Sequence, residues 1–375
     1  MEKLSIAMVS PYDFSHPSGV NTHAVNLSRY LASQGHCIDL LGPCSDSYYE
    51  HDAYEGITFH SLGSTIPFPI SSTAARISLN PKVYFQIKSI LKNQFDIVHI
   101  HEPFMPLTSL STLLLSKCPK IGTFHAYHEY KNNYAILQSV VSPLMNLIDH
   151  AICVSEASKS YIQPWMHNFT GNVSVIGNGI DTSKFKNSIK PYINNTPFTV
   201  VFIGRDEPRK GLTLLLKALE NLSYSNYKFK LLVAGLNDLN SYNNLFPNIF
   251  KSFEIECLGS VHNDLIPNIL QTSDVVCVPS LGGESFGIVL LEALASNTPV
   301  IASDIKGYSQ ILSQQNYPLI PVNDASALEH ALESLILNPE LRHNMAELGT
   351  DIVRKYNWTA IGSEIESIYW NMCGR

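Results

Sequence analysis

Polar and apolar positions along this chain fall into two kinds of short run that take turns. One kind is brief, rich in β-branched residues and apolar on both faces, which predicts strands of a parallel sheet covered on two sides. In the first half these runs are Leu4–Val9, Ile38–Leu41, Ile97–Ile100, Lys120–Phe124, Ala151–Val154 and Val173–Ile176. In the second half they are Thr199–Ile203, Lys230–Ala234, Glu256–Leu258, Val275–Val278 and Val300–Ala302. The other kind repeats apolar residues at helical spacing. From Val20 to Ala32 the apolar positions are Val20, Ala24, Val25, Leu27 and Leu31, and Gly35 closes the run. Such alternation predicts an α/β fold of doubly wound domains.

The alternation is interrupted once, by Lys186 to Pro197, a polar stretch with two prolines that reads as a linker. Residues 1–185 and 198–357 are therefore expected to form two Rossmann-like domains facing a cleft, joined by a linker at 186–197. A last helical pattern, Trp358 to Met372, carries Trp358, Ile361, Ile365, Ile368 and Tyr369 at helical spacing. Periodicity alone points it at the second domain's core.

Composition narrows the function. Hydrophobic residues make up 45% of the 375 and charged residues 15%, enough for two sizeable cores. The net charge of -7 argues against a nucleic-acid groove, which needs a basic stripe. Seven scattered cysteines with no C-x-x-C read as reduced thiols of a cytoplasmic protein. The first apolar run is too short for a signal peptide and reads as a strand. No apolar stretch approaches the ~18 residues that cross a bilayer.

Four stretches carry candidate chemistry. In "GGESFGIVLLEALASNTPVIAS", residues 282–303, a strand ends at Pro279 and a glycine loop leads into a helix. Ligands of open α/β sheets bind beyond the carboxyl ends of strands, where a helix N-terminus offers free N–H groups to anions. Glu284 precedes that helix and Glu292 lies inside it, roughly 12 Å apart along a continuous helix. That separation is too wide for an acid/base pair of the glycosidase kind, but it suits the two ends of one extended ligand. In "FIGRDEPRKG", Arg205, Arg209 and Lys210 follow the first strand of the second domain, a cation set suited to a diphosphate. "SPYDFSHPSGVNTH" leads from strand one into a helix at Gly19 and Val20, without the G-x-G-x-x-G of nicotinamide enzymes. Finally, His99 and His101 share a strand face. With His125 or His128 they are open to two readings, a metal site as in zinc hydrolases or hydrogen-bonding groups for a ligand.

Together these stretches, with "HIHEP" (99–103), "TFH" (123–125) and "GNGID" (177–181), are similar in kind and order to the GT-B retaining glycosyltransferases of family 4, over nearly the whole chain. Within that family the chain most resembles the bacterial phosphatidylinositol α-mannosyltransferases. The resemblance implies that Arg205 and Lys210 neutralise a donor diphosphate, Glu284 binds donor-sugar hydroxyls and Glu292 holds the ribose. It implies that backbone groups of Phe286, Gly287 and Ile288 meet sugar and phosphate, and that Gly19 closes over the diphosphate. His125 is implied at the reacting centre, with Tyr12 and Asn21 flanking the acceptor. No metal and no further cofactor is implied, and the terminal helix, 358–375, is implied to join the first domain. Where the family usually has Gly-Gly, this chain has Ser18-Gly19.

The expected function is transfer of a hexose, mannose from GDP-mannose, to a phosphatidylinositol-type or other glycolipid. The enzyme would sit peripherally on the inner face of the plasma membrane. Ile66 to Leu91 is the expected membrane contact, through Phe68, Ile70, Ile77, Leu79, Val83, Tyr84, Phe85 and Ile87, with Arg76, Lys82 and Lys88 adding charge. The alternatives are a UDP-sugar-dependent transferase of the same family with a soluble or different acceptor, or a nucleotide-sugar-binding protein without catalysis.

Overall fold

The computed structural model describes residues 2–16, 18–45, 56–70, 73–127, 141–185, 197–225, 227–313 and 317–374. His128 and the expected linker, apart from Pro197, lie outside the described residues. The chain divides into two compact units, Met1–Gly179 with Trp358–Arg375, and Ile180–Asn357. Residues of 180–185 stay with the second unit: the Ile180 N–H donates to the Tyr356 carbonyl at 2.8 Å, and Gln271 donates to the Phe185 carbonyl at 2.8 Å.

The first unit is built on a parallel sheet of β1 (Ser5–Val9), β2 (Cys37–Gly42), β3 (Ile57–Ser61), β6 (Ile97–His101), β7 (Lys120–Phe124), β8 (His150–Cys153) and β9 (Asn172–Val175). Their order is β3-β2-β1-β6-β7-β8-β9. The chain first winds outward from β1 and then returns beside it, so the topological switch lies between β1 and β6, where doubly wound sheets bind ligands. All five residues of β6 are buried, the two histidines included. Val9, Ile87, Val98, Ile100, Phe124 and Met145 are among the residues of one core cluster of this unit.

Two features escape the apolar pattern. β3 is a half-exposed edge strand whose residues alternate weakly. The hairpin of β4 (Ile66–Ile70) and β5 (Thr73–Ile77) pairs antiparallel outside the main sheet, and β4 carries Pro67 and Pro69, which suit only an edge. The terminal helix Trp358–Met372 packs against the helix Gly19–Ser33. A Cβ on Gly362 would come within 2.3 Å of the Tyr30 ring. Tyr30 Oη and His36 Nε2 both meet the Glu366 carboxylate, at 3.2 and 3.0 Å.

The second unit holds a five-stranded parallel sheet in the order β12-β11-β10-β13-β14. The strands are β10 (Phe198–Ile203), β11 (Phe229–Ala234), β12 (Glu254–Gly259), β13 (Val275–Val278) and β14 (Val300–Ala302). Its switch point lies between β10 and β13.

Among the described residues no helix is long and apolar enough to cross a membrane. The apolar groups expected on a membrane divide. Ile77, Val83 and Ile87 are fully buried, the last two because the helix Lys82–Ile90 turns its i, i+4 face to the core. Ile66, Leu79, Tyr84 and Phe85 are exposed, Phe85 by 68%. The side chains of Phe68 and Ile70 lie outside the described set. Arg76 is turned inward, 3.3 Å from Thr65 Oγ1 and 3.8 Å from Asp13, so the exposed cations of this stretch are Lys82 and Lys88.

Candidate active site

In the second unit, the loops after β10 and β13 are tied together at the switch point. Leu281 N–H donates to the Arg209 carbonyl at 2.7 Å, and Arg209 Nη1 donates to the Gly283 carbonyl at 3.3 Å. A tight turn, Pro208–Lys210, presents the cations. It closes on Gly211, at φ 75°, where a Cβ would sit 1.9 Å from the Pro279 carbonyl oxygen. Only glycine lets the two loops approach this closely.

Two carboxylates hold three cations. Glu284 receives both Arg209 and Lys210, the latter at 2.7 Å. Glu207 receives Arg205 at 2.9 Å and Arg209 at 2.7 Å. Arg205 is the most solvent-facing, its side chain 60% exposed against 20% for Lys210. The structure brings Arg205, Arg209, Lys210 and Glu284 into one ion-pair network and adds Glu207 as the link. Glu207 sits inside "DEPRKG", where a run of alternating charge looks equally like a solvated loop.

After β13 the loop runs to Gly287 at φ 97°, the N-cap of the helix Ile288–Ala295, with no side chain capping its free N–H groups. An uncapped N-terminus offers free N–H groups of the kind that can receive an anion. Phe286 is buried, with its ring against Tyr356, while Gly287 and Ile288 are half-buried. Glu292 is half-buried, and its backbone carbonyl accepts from Ser296 Oγ at 2.9 Å. Desolvation pushes its carboxyl up to about 7.

In the first unit, Gly19 opens the helix Gly19–Ser33 and is exposed. Ser18 caps that helix: its hydroxyl accepts from Asn21 N–H at 3.5 Å. Both Asn21 amide hydrogens serve the loop before the helix, donating to the carbonyls of Tyr12 at 3.2 Å and Asp13 at 2.9 Å. Ser10 Oγ donates to its Oδ1 at 2.6 Å. Asn21 therefore staples the loop that presents Tyr12, a residue whose phenol is half-buried and whose pKa is raised by burial and by Glu102.

Asp13 is the second staple. Its carboxylate accepts from Ser15, Ser45 and Thr65 hydroxyls at 2.6, 2.5 and 2.5 Å. Desolvation opposes its charge, but these hydrogen bonds prevail and hold its carboxyl well below the usual range.

The histidines gather at the carboxyl end of β6. His99 Nδ1 meets Tyr369 Oη at 2.5 Å and its Nε2 meets Thr123 Oγ1 at 2.6 Å. His101 Nδ1 is 3.0 Å from His125 Nε2. His23, from the helix Gly19–Ser33, packs edge-on against His101, His125 and Trp358. Burial lowers the pKa of all four, to about 4 for His23 and about 3 for His99. Among the described residues no group of three or more His, Cys, Asp or Glu is placed to hold a metal ion. Glu102, at φ 47°, accepts from the backbone N–H groups of His125 at 2.7 Å and Ala126 at 2.9 Å, fixing the turn that carries His125. Desolvation raises its carboxyl to about 7.

The family model for group 1 glycosyl transferases matches residues 183–351, and that for glycosyltransferase family 4 matches residues 17–184. A phosphatidyl-myo-inositol mannosyltransferase of Mycobacterium leprae is 31% identical, over 98% of this chain and 96% of that protein. One of Propionibacterium freudenreichii is 29% identical, over 98% of this chain and 94% of that protein. The crystal structure of a glycosyltransferase from Rickettsia africae superposes with a TM-score of 0.76 at 18% identity, covering 99% of both chains. The chain belongs to the family 4 glycosyltransferases of the GT-B fold and is a glycosyltransferase.

Proposed function

We propose that this enzyme transfers mannose from GDP-mannose to phosphatidylinositol or a related glycolipid, retaining the anomeric configuration, while resting on the inner face of the plasma membrane. The single observation that carries this reading is the full-length likeness to phosphatidyl-myo-inositol mannosyltransferases, 31% identical over 98% of the chain. The donor diphosphate lies against Arg205, Arg209, Lys210 and the N-terminus of the helix Ile288–Ala295, with Gly19 closing over it. When the glycosidic bond to the leaving diphosphate breaks, charge develops on its oxygens, and fixed cations and free N–H groups stabilise it without rearrangement. Glu284 then accepts from sugar hydroxyls and Glu292 from the ribose. A carboxylate beside two cations can take up such hydroxyls while keeping one ion pair.

On the acceptor side, His125 and Tyr12 meet the reacting sugar and the inositol hydroxyl, with Asn21 holding the loop of Tyr12. Attack comes from the face the diphosphate leaves, so no side chain need form a covalent intermediate. No metal and no other cofactor takes part. Thermal melts with a panel of nucleotide sugars test the donor. GDP-mannose should raise the melting temperature and UDP-glucose should not. Protection by UDP-sugars alone would overturn the GDP assignment.

A further inference from the structure

Met8 and His101 have no part in the chemistry above, yet both lie fully buried beside the candidate centre, Met8 on β1 and His101 at the end of β6. His101 Nε2 is 3.2 Å from Met8 Sδ. A thioether sulfur accepts a hydrogen bond and cannot donate one. His101 Nε2 therefore carries a hydrogen, since a bare nitrogen there would set lone pair against lone pair. A second proton on this ring is opposed by burial and then by the neighbouring His99, His125 and His23. His101 Nδ1 is thus bare, and the hydrogen in its 3.0 Å contact with His125 comes from His125 Nε2. His99 does not compete, because its two nitrogens are engaged by Tyr369 and Thr123. His125 is itself kept neutral by burial and by His23 and His99, so its remaining nitrogen, Nδ1, is an acceptor. That nitrogen has no hydrogen bond to a described residue.

We propose that Met8 and His101 are positioning residues that lock His125 in its Nε2–H tautomer and so present His125 Nδ1 as a hydrogen-bond acceptor to a substrate hydroxyl. The proposal rests on the reading of His125 as a substrate-contacting residue. Its consequence is selective. A bare imidazole nitrogen accepts from a sugar hydroxyl and repels a phosphate or carbonyl oxygen, whereas the other tautomer would attract all three. Glu102 completes the arrangement by fixing the backbone of His125, as the 2.7 Å hydrogen bond to its N–H shows.

Nitrogen NMR of the full chain with 15N-labelled histidine reads the tautomers directly, with His101→Asn and His125→Asn spectra for assignment. Both rings should show a protonated Nε2 and a bare Nδ1 at neutral pH. A His125 ring protonated at Nδ1, alone or at both nitrogens, overturns the proposal. Met8→Leu keeps the apolar volume and removes the acceptor. It should turn the His101 signals into a tautomer mixture and lower kcat about fivefold, the equivalent of one neutral hydrogen bond, with donor KM little changed. Signals and kcat both unmoved in Met8→Leu would overturn the role given to Met8. The activity of His125→Ala decides the underlying reading separately. Full activity there removes the substrate contact, whatever the tautomer, and a severe loss with the opposite tautomer removes only the lock.

Discussion

At the scale of single residues, the cation set divides into a held pair and a forward member. Lys210 shares Glu284 with Arg209, so removing Lys210 leaves that carboxylate paired and the loop junction intact. Lys210→Ala should therefore lose a charge-assisted contact to the diphosphate worth roughly 1.5–3 kcal/mol. Calorimetry should find GDP binding at least tenfold weaker, with a melting temperature close to wild type. GDP affinity unchanged in both Lys210→Ala and Arg205→Ala would contradict the diphosphate assignment. The residues legible from sequence here were those whose type announces their chemistry, such as Arg205, Lys210 and Glu284. Asn21 shows the limit. Beside a glycine loop its amide looks like a ligand group, and only the fold reveals both of its hydrogens on the carbonyls of Tyr12 and Asp13. Met8 was illegible for the same reason, since its partner His101 is 93 positions away.

At the scale of elements, the helix Lys82–Ile90 shows two faces with opposite tasks. Ile87 is in the core and Phe85 stands in solvent beside Tyr84, the two rings edge to face at 5.5 Å. Ile87→Ala should destabilise the protein by about 2–5 kcal/mol. Phe85→Asp should leave stability nearly unchanged but reduce co-sedimentation with anionic liposomes, since the apolar face supplies most of the binding. Lys82 and Lys88 add only ~1 kcal/mol each. Wild-type sedimentation retained in Phe85→Asp would remove this helix from the membrane reading. Sequence periodicity found the strands of both main sheets other than β3, because parallel strands buried on two faces are continuous apolar runs. It passed over β3, half-exposed at the edge of its sheet, and the β4–β5 hairpin, which pairs outside the main sheet, because neither is a continuous apolar run. It also treated the apolar groups of 66–91 as one surface, since a helix only one face of which is buried cannot be told from a fully exposed one by composition.

At the scale of the whole molecule, buried titratable groups set how stability responds to pH. His23, His99, His101 and His125 all have pKa values below the ordinary 6.5, so the unfolded chain takes up protons that the native state refuses. Their contribution to stability is lost as pH falls from 6.5 toward 4. Glu102 and Glu292, raised from 4.5 to about 7, act oppositely: the native state holds protons the unfolded chain releases, and their contribution is lost as pH rises through that window. Four histidines outweigh two carboxyls. The melting temperature should drop between pH 6.5 and 4, and less steeply in His23→Phe, which keeps an aromatic ring against His101, His125 and Trp358 and removes one titrating group. An equal slope in both proteins would contradict the assignment of acid sensitivity to this cluster. The central claim, mannosyl transfer to an inositol lipid, is tested most directly by supplying purified enzyme with GDP-mannose and phosphatidylinositol vesicles and analysing the lipid by mass spectrometry and NMR. A phosphatidylinositol gaining one hexose in α linkage is the expected result. Hydrolysed donor with unchanged lipid, or a hexose accepted only from UDP-sugars by a soluble acceptor, would contradict it.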